Sequence, residues 1–304
     1  MPLHVAVTGA SGLIGRALES SLTHDGHRVT RLVRHPPAAK HEIRWDPDAV
    51  ADLSALGAVD AIVHLAGENI AGGRWTARRR AAILASRRDG TANLVASLLR
   101  LPNPPHTLIA ASAIGIYGDR GDERLTEASP TGAGFLAEVG REWEAASAPA
   151  ERTGIRVVRM RFGVVLARGG GALARMLPAF RAGVAGRLGS GHQWMSWVAL
   201  DDVVEAVRHA ILTDSLRGPV NVTAPTPVTN TEFTTTLARL LRRPAILPIP
   251  AVALRLVLGR LADEALLTSQ RVLPTALLTS GYRFRCPTLE AALRHLLDRG
   301  PVAE

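Results

Sequence analysis

Three glycines near the start of the chain have the spacing of a phosphate-binding turn. Gly9, Gly12 and Gly15 form the pattern G-x-x-G-x-x-G directly after an apolar run, and a helical pattern follows them. The first glycine permits a tight turn, the second lets the backbone approach a pyrophosphate, and the third allows close packing of helix on strand. The amides at the start of the helix then face the diphosphate with the positive end of the helix dipole. This pattern predicts a dinucleotide-binding turn.

The end of the second predicted strand indicates which dinucleotide is bound. Turns that bind NAD usually have Asp or Glu about twenty residues after the glycines, where it bonds the ribose 2′-hydroxyl. This chain has Val33 there, followed by Arg34, with Arg31 nearby. A guanidinium holds a 2′-phosphate through forked, charge-assisted contacts. We therefore expect NADP(H) to be preferred over NAD(H); the alternative is that Arg34 is simply solvated.

The elements around this turn alternate between apolar runs and helical patterns, which predicts an α/β fold with a Rossmann doubly wound parallel sheet. Strands are expected at 4–8, 27–33, 61–65, 107–112, 156–161 and within 219–228, and helices at 13–25, 76–88, 91–101, 136–152, 231–241, 252–267 and 289–298. Glycine-rich segments at 169–171 and 183–191 are expected to be loops. We assign residues 1–245 to the nucleotide-binding domain and residues 246–304 to a smaller C-terminal lobe on the substrate side.

The composition excludes several classes of protein. A hydrophobic fraction of 47% is typical of a globular protein, and the net charge of +9 comes almost wholly from arginines spread along the chain, so no nucleic-acid partner is expected. No run approaches eighteen apolar residues, and we expect no membrane partner. The lone Cys286 excludes an intramolecular disulfide and, without a signal-peptide pattern, fits a cytoplasmic protein. The histidines show no metal-ligand spacing, so no metal site is expected. A small-molecule substrate is the expected partner, and the oligomeric state stays open.

Further segments resemble extended short-chain dehydrogenases/reductases. They are HLAGENI at 64–70 and SAIGIYG at 112–118. Within that superfamily the chain resembles an atypical branch of NAD(P)-dependent epimerase-family proteins of unassigned reaction. This closer resemblance rests on the GENI segment at 67–70 followed by RWT at 74–76, on GSGHQWMSW at 189–197, and on the acidic pair at 201–202. The stretch from about 254 to 297 resembles the small domain that ends those proteins.

The resemblance implies a set of ligand-binding residues. Cofactor contacts are implied for Gly9, Ser11, Gly12, Leu13, Ile14, Gly15, Arg34, Leu65, Ala66, Glu68, Arg74 and Val164, with adenine-side contacts near Trp45 and Asp46. Gln193, Trp194 and Ser196 are candidates for the substrate pocket. The alternative for Glu68 and Arg74 is a structural ion pair that fixes a loop. The alternative for the tryptophans of the 189–197 segment is to anchor the second lobe.

The usual catalytic pair of short-chain dehydrogenases is missing. Those enzymes use Tyr-x-x-x-Lys on one helical face, where the lysine lowers the pKa of the tyrosine so that it can exchange a proton with the substrate. Lys40 is the only lysine, and Tyr117 and Tyr282 are the only tyrosines, so the pair cannot form. By sequence position, Phe135 and Val139 replace it. The standard acid–base machinery is therefore absent.

Two functions are compatible with these features. In the first, the protein still moves a hydride between NADP(H) and a carbonyl, alcohol or sugar-like substrate, with Tyr117, Ser112 or Glu138 as the replacement proton donor. Each of these residues has a purely structural alternative. In the second, the protein is a non-catalytic NADP(H)-binding sensor. The glycine-rich segment with its polar Gln193 and Ser196 favours the enzyme.

Overall fold

The structure is a computed structural model that describes residues 1–298, and its elements alternate between strands and helices. The strands are β1 (His4–Thr8), β2 (Arg28–Val33), β3 (Glu42–Arg44), β4 (Ala61–His64), β5 (Thr107–Ala113), β6 (Arg124–Leu125), β7 (Arg156–Phe162), β8 (Val164–Ala167), β9 (Trp194–Met195), β10 (Trp197–Ala199), β11 (Gly218–Val222), β12 (Val228–Thr229) and β13 (Arg271–Val272). The helices are α1 (Leu13–His24), α2 (Ala77–Leu98), α3 (Phe135–Glu151), α4 (Gly171–Arg181), α5 (Leu200–Leu212), α6 (Asn230–Leu241), α7 (Ala251–Leu258), α8 (Thr275–Thr279) and α9 (Leu289–Asp298). Two short 3₁₀ helices, Ser54–Leu56 and Ile114–Tyr117, and a π-turn, Ala262–Leu266, complete the elements.

Seven strands form one parallel sheet in the order β11-β7-β5-β4-β1-β2-β3. Strand β1 pairs with β2 on one side and with β4 on the other, so the direction of strand addition reverses at β1. In open α/β sheets, ligands bind in the crevice that such a reversal leaves at the carboxyl ends of the strands. The Rossmann fold predicted from the sequence is confirmed.

The central strands are covered on both faces, as their continuous apolar runs predict. Val5 and Val7 of β1 pack with residues of α1 and α5, whereas Ala6 between them packs with Ile62 and residues of α2 on the other face. This division follows from the two-residue period of a strand. The sheet is therefore a rigid platform for the loops at its carboxyl edge.

Several predicted helix boundaries were wrong, each at a glycine. The predicted helices 76–88 and 91–101 form the single helix α2, with Gly90 inside it facing Pro47. The glycines at 169–171 lead into α4 and do not form only a loop. The predicted helix 252–267 is interrupted at Gly259, which has a φ of +61°, and helical structure resumes at residue 260 and continues to Leu266. Strand β3 carries too few residues for its pattern to predict it.

The C-terminal segment is tied to the sheet domain by strand pairing and by a buried carboxylate. Strand β13 pairs in parallel with β6. The Asp202 carboxylate accepts hydrogen bonds from the amides of Arg285 at 2.7 Å and Cys286 at 3.0 Å, and the Tyr282 hydroxyl donates to the Asp202 carbonyl at 2.9 Å. Across residues 1–298, no helix combines the length and apolarity needed to cross a membrane.

Candidate nucleotide-binding site

The glycine turn after β1 leaves no room for side chains. Gly9 has a φ of +70°, and a Cβ atom there would lie 2.8 Å from the carbonyl carbon of Leu65 and 2.9 Å from the amide of Ala66. A Cβ atom on Gly15 would collide with the Gly9 carbonyl oxygen and lie 2.7 Å from the Cα of Ala10. Glycine is therefore required at both positions, and α1 presses directly onto the turn.

The N-terminus of α1 lies open beside this turn. Gly12 is its N-cap residue, and its amide donates to the Gly9 carbonyl at 2.9 Å. No side chain of the described residues 1–298 caps this end, and the first turn carries no acidic residue. The unpaired amides and the helix dipole therefore favour a negatively charged group at this position.

A cavity of about 360 Å³ adjoins the turn at the carboxyl ends of β1, β2 and β4. Its volume lies in the range of small-molecule sites. Eight residues implied by the resemblance line it: Gly9, Ser11, Gly12, Arg34, Trp45, Leu65, Ala66 and Glu68. Another six do not: Leu13, Ile14, Gly15, Asp46, Arg74 and Val164. The cavity thus joins the glycine turn to the end of β2.

Two arginines at the end of β2 have different surroundings. Arg31 donates to Glu19 at 2.7 Å and lies 3.7 Å from Glu42, and the hydrogen bond that it donates to Glu19 raises the pKa of Arg31. Arg34 is exposed at the cavity, and no residue in the described part of the chain forms a hydrogen bond or ion pair with it. Its guanidinium is therefore available to a ligand, whereas that of Arg31 is already neutralised.

A buried histidine fixes the wall of the cavity. The Thr8 hydroxyl accepts hydrogen bonds from the amides of Leu65 at 3.1 Å and Ala66 at 3.2 Å, which leaves its own proton for Nδ1 of His64 at 2.7 Å. His64 then donates from Nε2 to Thr91 at 3.0 Å, so the network assigns a neutral Nε2–H tautomer. Burial lowers the pKa of His64 to about 4. This network positions the backbone that faces the ligand.

Trp45 and Asp46 have separate roles in the segment after β3. The Trp45 ring is buried, meets the His64 ring edge-on at 5.7 Å between centroids, and has an Nε1 atom with no hydrogen-bond partner within residues 1–298. Asp46 is exposed, and its carboxylate accepts from the amide of Asp48 at 3.0 Å. Of these two residues, Trp45 lines the cavity and Asp46 does not.

The loop after β4 is held by arginines of α2. The Glu68 carboxylate lies 3.5 Å from Arg79, so the alternative ion pair between Glu68 and Arg74 does not form. Arg87 donates to the Glu68 carbonyl at 3.0 Å, and burial lowers the pKa of Arg87 to about 10. Arg74 is exposed and lies next to Gly259, and its guanidinium has no hydrogen-bond or ion-pair partner among residues 1–298. Glu68 therefore fixes the loop, and the Arg74 guanidinium remains accessible.

The remaining implied contacts lie on the other side of the glycine turn. Leu13 packs against Gly170 and Gly171 at the start of α4, and Ile14 packs against the core beneath α1. The amide of Val164 donates to the Ser196 carbonyl at 2.8 Å. None of these three residues lines the cavity.

Two of the three candidate proton donors belong to a buried hydrogen-bonded network. Arg161 makes a bidentate ion pair with Glu144, at 2.7 and 2.8 Å, and also donates to the Tyr117 hydroxyl at 2.8 Å. The Tyr117 hydroxyl donates to Asn221 at 2.7 Å, and Ser112 donates to Glu144 at 2.7 Å. Burial raises the pKa of Tyr117. The polar atoms of Ser112 and Tyr117 are thus committed to partners inside the protein.

The positions expected for the Tyr-x-x-x-Lys pair lie in an apolar cluster. Phe135 begins α3 and meets the ring of Trp75 edge-on at 5.2 Å, and Val139 is buried against the same cluster. Glu138, the third candidate donor, is exposed on α3. The Glu264 carboxylate of the C-terminal lobe accepts from the amide of Leu136 at 2.8 Å and so caps the start of α3. Nothing in the sequence pattern indicated this cap.

The candidate substrate residues connect the 189–197 segment to the C-terminal lobe. Gln193 is buried and donates to the carbonyls of Leu188 at 3.0 Å and Leu266 at 3.2 Å. The Ser196 hydroxyl donates to the Gln270 carbonyl at 2.8 Å. Trp194 is half-buried, donates to Asp122 at 2.6 Å and lies under the guanidinium of Arg271. These contacts hold the lobe in place, and a substrate contact stays a prediction for all three.

Comparison with known families identifies the chain. The family model of the NAD dependent epimerase/dehydratase family matches residues 5–222, which is more than half of the chain. The chain belongs to this family. A second model, for the domain of unknown function DUF1731, matches residues 249–296 in the C-terminal lobe. The family resemblance stated from the sequence is confirmed.

Relatives of known sequence and structure agree with this assignment. The epimerase family protein Mb2239 of Mycobacterium bovis is 45% identical over 296 residues, which cover 97% of this chain and 98% of the relative. The crystal structure of human epimerase family protein SDR39U1 with NADPH aligns with a TM-score of 0.91 at 35% identity, covering 98% of this chain and all of that one. A UDP-N-acetylglucosamine 4-epimerase from Bacillus cereus aligns with a TM-score of 0.77 at 20% identity, and this likeness concerns the fold alone.

Sequence reasoning missed the hydrogen-bonded residues that lie beneath the site and fix its backbone. Thr91 and the Arg161–Glu144 pair lie outside the family motifs named above, and His64 begins the segment at 64–70 but was not among the implied contacts. The only local signal was a polar residue at the end of an otherwise apolar strand, as in Thr8 and His64. The partner of such a residue depends on strand order, which a single sequence does not encode locally.

Proposed function

We propose that the protein binds NADP(H) in the crevice beside the glycine turn, with Arg34 holding the 2′-phosphate. The observation that carries this proposal is the unpaired Arg34 guanidinium on the cavity, with no carboxylate at the end of β2 from residue 31 to 37. The Glu42 carboxylate also lines the cavity, but it accepts from the amide of Ala38 at 2.8 Å and lies close to Arg31. The NADPH in the human relative's crystal structure supports the proposal.

The residues of the site fit such a cofactor. The glycine turn can form only because Gly9 and Gly15 lack Cβ atoms, which would meet the surrounding backbone, and its free amides suit a diphosphate. Trp45, Leu65 and Ala66 would enclose the adenosine, and Leu13 and Val164 would adjoin the nicotinamide end. When bound, the nicotinamide ring supplies a hydride donor or acceptor.

A titration with two reduced cofactors tests the assignment. We expect Arg34→Glu to weaken NADPH binding by roughly ten- to hundredfold, the range of a lost charge-assisted contact, and to leave NADH binding nearly unchanged. Arg28→Glu is the matched control, because Arg28 is exposed at the opposite end of β2 and its reversal changes the net charge equally. Equal losses for NADPH and NADH in Arg34→Glu would contradict a 2′-phosphate contact.

The reaction proposed for the bound cofactor is hydride exchange with a carbonyl, alcohol or sugar-like small molecule. Family membership and the cofactor crevice support it, and the absent Tyr-x-x-x-Lys pair makes the mechanism atypical. Among the candidate donors, Ser112 and Tyr117 are buried and fully partnered, so the geometry favours a structural role for them. Glu138 is accessible to solvent on α3. Ser112, Tyr117 and Glu138 all remain predictions as proton donors.

A non-catalytic NADP(H) sensor is the second candidate function. The observation that favours it is the apolar cluster around Phe135 and Val139, where the usual catalytic pair would lie. A sensor needs the cradle but no proton donor. Its expected partner is another macromolecule, whereas the enzyme needs only a small-molecule substrate.

Turnover distinguishes the two functions. Purified protein with NADPH is followed at the nicotinamide absorbance against a panel of aldehydes, ketones and sugar nucleotides, with NADP⁺ and alcohols for the reverse direction. Oxidation or reduction on any member supports the enzyme, and Glu138→Gln then tests the exposed candidate donor. Tight NADPH binding with no turnover across the panel supports the sensor.

A further inference from the structure

The C-terminal lobe exposes an unusual number of large apolar side chains. Helix α7 contains no buried residue although its sequence, AVALRLVL, is almost entirely apolar. The exposed fractions are 71% for Leu256, 67% for Val257 and 80% for Ile246 in the segment before the helix. Exposed apolar clusters of this kind mark interaction sites more often than isolated apolar residues do. These exposed side chains therefore indicate a surface that binds a partner.

A second chain segment extends the same surface. The amide of Ile249 donates to the Arg187 carbonyl at 2.9 Å, and the amide of Gly189 donates to the Ile249 carbonyl at 2.9 Å, so residues 187–189 run beside residues 247–250. This pairing brings the exposed Val184 next to the segment that precedes α7. We call the resulting surface the apolar face; it consists of Val184, Ile246, Leu247, Val252, Leu256 and Val257.

The two chain segments that carry the apolar face contain no acidic residue. No Asp or Glu occurs from residue 152 to 200 or from residue 233 to 262. Five exposed arginines of these segments form no hydrogen bond or ion pair through their side chains within residues 1–298: Arg181, Arg187, Arg242, Arg243 and Arg260. Arg255 in α7 is paired with Asp263 at 2.8 Å. The two segments that carry the apolar face thus present unpaired positive charge and no carboxylate of their own.

We propose that the apolar face docks on an anionic membrane surface. A short helix with exposed Leu and Val beside unpaired arginines suits an interface where acyl chains and anionic headgroups meet. A second copy of the chain fits less well, because a two-fold interface would bring two arginine-rich surfaces together, and neither segment contributes an Asp or Glu to neutralise them. Nucleic acid fits less well too, because the apolar face presents no aromatic side chain for stacking.

This proposal departs from the expectation of no membrane partner. That expectation rested on the lack of a membrane-spanning run, and peripheral docking needs none. Apart from Val184, the residues of the apolar face belong to the C-terminal lobe, and none of the six lines the nucleotide cavity. Docking therefore does not depend on the proposed cofactor.

Vesicle flotation of the full chain tests the proposal. We expect the protein to float with phosphatidylcholine vesicles that contain phosphatidylglycerol, to float much less with pure phosphatidylcholine, and to lose binding as salt screens the headgroups. The double variant Leu256→Glu with Val257→Glu should weaken binding by at least about tenfold. Arg242→Ala with Arg243→Ala should weaken it by roughly tenfold or more. Leu212→Glu is the matched control, since Leu212 is 66% exposed at the end of α5 and lies outside the apolar face.

Circular dichroism and thermal unfolding of each variant establish that it is folded. Flotation that depends on phosphatidylglycerol, and that is lost in both double variants but kept in Leu212→Glu, supports the proposal. No flotation of the wild type overturns it, and so does equal binding by the wild type and all variants. A dimer in light scattering that Leu256→Glu dissociates, without vesicle binding, also overturns it and assigns the apolar face to self-association.

Discussion

The buried His64 makes a quantitative prediction about stability and pH. In the folded protein its pKa is lowered to about 4 by burial, whereas an unfolded histidine has a pKa of about 6.5. Between these values the unfolded state binds more protons, so the free energy of unfolding falls as the pH falls through this window. The neutral His64 stabilises the fold fully above the unfolded pKa. The free energy of unfolding is lower by about 2 kcal/mol at about pH 5, and by about 3 kcal/mol below both pKa values, than it is above the unfolded pKa.

The variant His64→Gln isolates this contribution. Glutamine stays neutral and can still donate to the Thr91 hydroxyl, so the variant should have a constant cost and a shallower pH dependence. Urea unfolding of both proteins at about pH 7.5 and about pH 5 measures the difference, and all other titrating groups cancel. The stability gap between wild type and variant should shrink by about 2 kcal/mol at the lower pH. Parallel pH profiles for the two proteins would refute the assignment of a neutral, desolvated His64.

Three further predictions concern the cradle and the buried network. Gly15→Ala should weaken NADPH binding about tenfold or more, because the new Cβ atom meets the backbone of the turn. Gly90→Ala, whose Cβ atom would lie at an ordinary contact distance from Pro47, is the control, and a fluorescence titration with NADPH compares the two variants. Arg161→Met should lower the free energy of unfolding by about 3–5 kcal/mol, because it removes the cationic partner of the largely buried Glu144 carboxylate. Arg294→Met, which removes an exposed pair with Glu290, should lower it by less than about 1 kcal/mol, and urea unfolding measures both. Tyr117→Phe should lower the free energy of unfolding by about 1–3 kcal/mol and leave the NADPH dissociation constant unchanged, and loss of binding with full stability would contradict a structural role.

The nucleotide cradle could be predicted because its determinants are local. Gly9, Gly12 and Gly15 lie within seven consecutive residues, so their spacing reports the turn and the start of α1 directly. The absence of a carboxylate after β2 was equally readable, because its meaning depends only on the distance from the glycines. The ends of the helices were harder to predict, because Gly90 lies inside α2 whereas Gly259 ends α7. The difference lies in the backbone dihedrals, which the residue type alone does not determine.

The amino-acid sequence by itself determined the fold class, the family and the loss of the usual catalytic pair, since one lysine and two tyrosines cannot supply it. Only the tertiary structure decided the surroundings of each polar side chain. Tyr117 contacts Asn221 across 104 positions of sequence, and Ser112 contacts Glu144 across 32, so no local pattern could show that both are buried and partnered. The same is true of the apolar face, because periodicity marks α7 as apolar but not as exposed. Burial is a property of the packed chain, and packing joins segments that the sequence keeps apart.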